Sequence, residues 1–222
     1  MQIQILDPLL IVALALNFVA LGVSRIRGVI NAVALQGVLL GICPLLVHQE
    51  HWQEHWLRSI PLVVVTIGLK GGIIPWLLLR AMREADIQHE VKPVVSFMTS
   101  LLLGAIGTGL AMVFSSTLEL VDEPSERRAA LLLVPASLAT VWTGFLMLTT
   151  RKKAINQVLG YLILENGIFL FGMLLLEAMP FLVEIGVLLD LFTGVFVMGI
   201  IIHHISREFS TLSTEHLTEL KE

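Results

Sequence analysis

Charged side chains are scarce in this chain: Asp, Glu, Lys and Arg make up 14% of 222 residues, while 56% are hydrophobic and the mean hydropathy is +0.87. A soluble domain of this size carries roughly a quarter charged residues, so the composition excludes an ordinary soluble fold. Cysteine is almost absent. Cys43 stands alone, and one cysteine makes no intrachain disulfide, iron–sulfur site or zinc cluster. Any redox chemistry must then reside on partners. No basic patch interleaved with aromatics is present, which removes a nucleic-acid reading. The stretch Met1–Pro8 lacks a basic n-region and a small-residue cleavage site. The first apolar run is therefore expected to be a permanent helix rather than a signal peptide.

What the chain has in abundance is long apolar runs. Hydropathy divides it into seven candidate spans: Leu9–Val23, Val29–Val47, Ile60–Ala81, Val94–Phe114, Ala129–Leu148, Ile155–Leu176 and Phe181–Ile202. This predicts an all-α integral membrane protein of about seven transmembrane helices. Arg25, Arg27, Arg80, Arg83, Lys92, Arg151, Lys152, Lys153, Arg207 and Lys221 fall on one side; Arg58, Arg127 and Arg128 fall on the other. That asymmetry predicts an outside N-terminus and a cytoplasmic C-terminus. The expected organisation is a three-helix unit over 1–93, then a linking fourth helix with an external acidic loop over 94–128. A second three-helix unit follows over 129–205, and a polar cytoplasmic tail over 206–222.

The two units suggest a weak internal repeat at an offset of about 124 residues. Arg25-Ile26-Arg27 corresponds to Arg151-Lys152-Lys153, Asn31 falls near Asn156, and Gln36-Gly37 falls within a few residues of the Glu165 motif.

Polar residues inside the spans carry the chemical signal. Lys70, Glu165 and Asp190 lie near the middles of the third, sixth and seventh spans, and Gln36 near the middle of the second. An acid at bilayer centre costs at least ~2.5–3.5 kcal/mol, so it persists where it faces protein or water and has a role. Three ionisable groups at one depth could form a charge-compensated cluster for moving protons or ions. The plainer alternative is a Lys–carboxylate pair that locks helices, which is a poor source of stability. His203 and His204, at the end of the last span, could pass protons to the cytoplasm or be ordinary interfacial residues. Pro75, following Gly71-Gly72, should loosen the third helix.

Other polar features have simpler readings. The loop His48–Arg58 has histidines at helical spacing, yet Trp52 and Trp56 mark an interfacial turn and no second ligand cluster supports a metal. Gly104, Gly107 and Gly109 should favour close helix packing. Glu119–Glu126 reads as a solvated connection, and Cys43-Pro44 as a buried packing site.

Thr143-Gly144-Phe145-Leu146, the basic turn Arg151–Lys153, and Asn156 through Gly167 with Glu165 carry a resemblance. The stretch Ala129–His204 resembles the K subunit of complex I and the C subunit of Mrp-type antiporters. In that family, mid-membrane acids on the second and third helices belong to a hydrophilic axis. Glu165 matches the first; Asp190 matches the second in position, with aspartate in place of glutamate. The whole chain resembles component E of hydrogenase-4, from membrane-bound [NiFe]-hydrogenase complexes of the formate-hydrogenlyase type. The resemblance implies a non-catalytic proton-path subunit in a prokaryotic cytoplasmic (inner) membrane, with Glu165 and Asp190 on the path; the mid-span reading adds Lys70 to the path and Gln36, His203 and His204 as accessory polar residues. It implies antiporter-like and peripheral-arm-anchoring membrane subunits and a cytoplasmic hydrogenase module as partners. Nickel–iron and iron–sulfur centres would reside on those partners, with no cofactor on this chain. An Mrp-type cation/proton antiporter subunit and a non-conducting scaffold are the alternatives.

Overall fold

The computed structural model describes residues 3–47, 63–84, 94–117 and 124–173, together with Gly199. Among them the chain is helical, with no strand beyond one-residue bridges at Arg25 and Arg151. Helix α1 is Ile3–Gly22, α2 is Ile26–Val47, and α3 joins helical residues 63–68, a π turn at Leu69–Ile73, and Ile74–Glu84. Helix α4 is Phe97–Thr117, α5 is Pro124–Thr150, and α6 is Ala154–Met173. These six match the first six apolar spans. Of the seventh, only Gly199 is described; Asp190, His203, His204, the loop at 48–62 and the tail lie outside the described residues.

Helices α2 to α6 each contain an apolar segment of 18 to 21 residues, long enough to cross a bilayer, and α1 contributes a shorter one, Leu6–Gly22. Helix α5 starts earlier than its apolar run. Pro124 takes its first position, where a missing N–H costs nothing, so the part of the acidic stretch from Pro124 onward is helical, where a loop was expected. Ser96 caps α4, its Oγ accepting the Thr99 N–H at 3.1 Å.

Two apolar clusters fill the bundle. One gathers at the short basic turns: Leu21, Ile26, Ile30, Ile74, Leu78, Met147, Leu159 and Ile163. The other, towards the opposite end, contains Leu10, Ala13, Leu40, Cys43, Ala136, Ala139, Leu170 and Met173. Their membership fixes the direction of each helix. Helices α1 and α5 run from the second cluster to the first, while α2, α4 and α6 return. The hairpins α1–α2 and α5–α6 thus run in the same sense.

Glycines set the closest approaches. A Cβ at Gly144 would overlap the backbone of Leu164; one at Gly167 would lie 2.5 Å from Val141 N, and one at Gly160 2.9 Å from Leu148 N. Helices α5 and α6 therefore touch backbone to backbone, as small residues allow in lipid. Gly104 and Gly107 of α4 pack as expected, the second beneath the Trp142 indole. Gly109 does not: it is exposed, with nothing within 4 Å of its Cβ position.

Candidate functional site

The polar layer lies between the two apolar clusters. Lys70 reaches it from the π turn of α3, where Ile74 N–H bonds Leu69 O five residues back. A π turn widens the helix, and Pro75 directly after it has no N–H to offer the preceding turn. The loosening expected at Pro75 is thus a π turn on its N-terminal side. Gly37 of α2 makes room for the lysine, because a Cβ there would sit 2.7 Å from Lys70 Cβ.

One turn of α6 receives the ammonium. Lys70 Nζ lies 2.9 Å from Glu165 Oε1, with side-chain exposures of 6% and 3%. It donates to Asn166 Oδ1 at 3.0 Å and sits 5.3 Å from the centroid of the Phe169 ring. A buried pair of this kind holds its charges only because each partner replaces the water the other has lost. A small, partly open cleft adjoins it, bounded by Ile30, Val33, Ile74, Pro75, Leu78 and Leu159 besides Lys70 and Asn166.

A hydrogen-bonded chain leads away from the pair across the bundle. Asn166 Nδ2 donates to Gln36 Oε1 at 3.3 Å. Gln36 Nε2 donates to Asn17 Oδ1 at 2.9 Å and to Ala13 O at 3.3 Å. Asn17 Nδ2 donates to Thr140 Oγ1 at 2.9 Å, and Thr140 donates to Ala136 O at 2.7 Å. Five helices contribute, and Asn17, Gln36, Thr140 and Asn166 are all buried.

The structure therefore brings together Lys70, Glu165 and Gln36 of the residues singled out by sequence. Asn17 and Thr140 were missed, as was the part played by Asn166. Asn17 carried the same signal as Gln36, an amide inside an apolar run. Thr140 carried none, since a threonine in a helix can satisfy its hydroxyl on its own backbone.

A second polar feature lies at the basic turns. Arg151 is 2% exposed and donates from Nη2 to Leu21 O at 2.8 Å, capping the last turn of α1 from the α5–α6 connection. Its guanidinium lies 5.0 Å from the Phe97 ring, and burial holds its proton affinity below the ordinary arginine value. Arg25 and Arg27, its counterparts in the suggested repeat, are exposed. Asn156 is fully buried and Asn31 exposed, so the corresponding positions differ in environment. Among the described residues no group of His, Cys, Asp and Glu is arranged to hold a metal.

No protein-family model matches the chain, and no solved structure matches it. Component E of hydrogenase-4 from Escherichia coli K12 is 37% identical over 78 residues, which make up 35% of this chain and 36% of that protein. The component E of Shigella flexneri shows the same identity over the same length. The uncharacterized protein Rv0085 of Mycobacterium tuberculosis is 33% identical over 200 residues, 89% of this chain and 87% of that protein. On that near full-length similarity, this membrane protein belongs to the same family as the Mycobacterium tuberculosis protein.

Proposed function

We propose that the chain is a membrane-arm subunit of a complex I-related, proton-translocating hydrogenase complex, in which Glu165 takes up and releases a proton beside Lys70. The observation that carries this reading is the buried Lys70–Glu165 pair in mid-bundle, 2.9 Å apart between two apolar layers. A carboxylate so placed interacts strongly with nearby charge, because little water screens it. The partial similarity to hydrogenase-4 component E supports the kind of complex.

In this reading the basic turns face the cytoplasm, Asp190 continues the path, and His203 and His204 serve its cytoplasmic end. Antiporter-like subunits, a subunit anchoring the peripheral arm, and a hydrogenase module surround the chain in the cytoplasmic membrane. Nickel–iron and iron–sulfur centres belong to those partners. The amide chain favours a second reading, a scaffold whose polar residues fix helix register. It predicts that neutralising Glu165 changes stability and leaves coupling untouched.

Purification through a tag on this chain from native membranes tests the proposed assembly. Hydrogenase large and small subunits should come with it, together with antiporter-like subunits. Recovery with antiporter subunits alone would replace the hydrogenase reading by a cation/proton antiporter.

A further inference from the structure

The amide chain has a polarity that its ends impose. Thr140 has one hydroxyl hydrogen, and at 2.7 Å it is committed to Ala136 O. Its oxygen can then only accept, so Asn17 must turn its NH2 towards it and its carbonyl towards Gln36. Gln36 must present its NH2 to that carbonyl and to Ala13 O, which leaves Oε1 for Asn166. Asn166 in turn has only Oδ1 to offer Lys70, at 3.0 Å. The opposite end makes the same demand, because an ammonium has donors and no acceptor. Reversing any one amide sets N–H against N–H or oxygen against oxygen.

We infer that Asn17, Gln36, Asn166 and Thr140 are positioning residues that hold Lys70 as an ammonium against Glu165, with the orientation set on α5 and transmitted through α1 and α2 to α6. Each carboxamide keeps its hydrogens at physiological pH, so the chain orients charge and does not carry protons. Hydrogen bonds in series polarise one another, which makes the far end matter to the near one. Among the described residues of α2 and α6, Glu165 is the acid facing Lys70; Arg27, Cys43 and Tyr161 are the other ionisable groups on those helices.

The inference rests on the proton-holding reading for its purpose, and its test does not use coupling. A double-mutant cycle on the purified full chain in detergent compares Thr140→Val in two backgrounds, wild type and Lys70→Met. Among the described residues, Thr140 and Lys70 are joined through three intervening amides. Loss of the hydroxyl should lower Tm by about 2–4 °C in wild type, and by less than half as much in Lys70→Met. Thr140→Ser should restore the wild-type value. If Lys70→Met does not fold, Lys70→Gln supplies the second background. Equal losses in both backgrounds would mean that the chain is local packing and does not position Lys70. Coupling assays on Glu165 variants test the proton path itself, so either idea can fail alone.

Discussion

Lys70 and Glu165 each make the other tolerable in a low-dielectric interior. Removing one leaves an uncompensated buried charge, which typically costs about 3–5 kcal/mol. Lys70→Met should therefore lower thermal stability much more than Lys70→Arg, which keeps the cation. Adding Glu165→Gln to Lys70→Met should recover part of the loss, as unfolding of the purified variants would show. Additive losses would mean that the pair contributes nothing as a pair. At this scale the sequence was informative where an ionisable or amide side chain interrupted an apolar run, as with Lys70, Glu165 and Gln36. Asn17 obeys the same rule. Thr140 was not legible, because its place in the chain depends on which helix stands opposite, and one helix's sequence does not hold that information.

The helices owe their existence to apolar length and their spacing to glycine. Gly144 and Gly109 are both helical, yet only Gly144 lies against another backbone. Gly144→Ala should force α5 from α6 and cost about 1–3 kcal/mol. Gly109→Ala should stay within roughly 0.5 kcal/mol of wild type, as surface changes do. Thermal unfolding of the two variants distinguishes them, and equal losses would contradict the backbone contact. Hydropathy located all six described helices, since an apolar span needs no tertiary information to be recognised. It did not locate the π turn: Pro75 signalled a disturbance, but its form depends on how Lys70 and Gly71 seat against Gly37 and Val38 of α2. The buried cap that Arg151 provides to α1 was equally hidden, since its residue type suggests a solvated turn.

Across the described helices, a layer of buried polar groups lies between two apolar clusters. The short turns share one end and carry Arg25, Arg27, Arg151, Lys152 and Lys153. If that end is cytoplasmic, a reporter fused after Glu222 should be active only in its cytoplasmic form, and activity in the external form would reverse the orientation. The proposed proton-holding role would likewise be a property of the assembled protein. Glu165→Gln keeps size and hydrogen-bonding capacity but has no proton to release. The decisive measurement places this variant and Glu165→Asp in the intact complex. Subunit content and hydrogenase activity with an artificial electron acceptor are read alongside proton-coupled turnover. The account predicts that the glutamine variant assembles and keeps acceptor-linked activity while losing proton-coupled turnover, with the aspartate variant retaining part of it. A fully assembled glutamine variant that couples like wild type would show that Glu165 is structural and contradict the account.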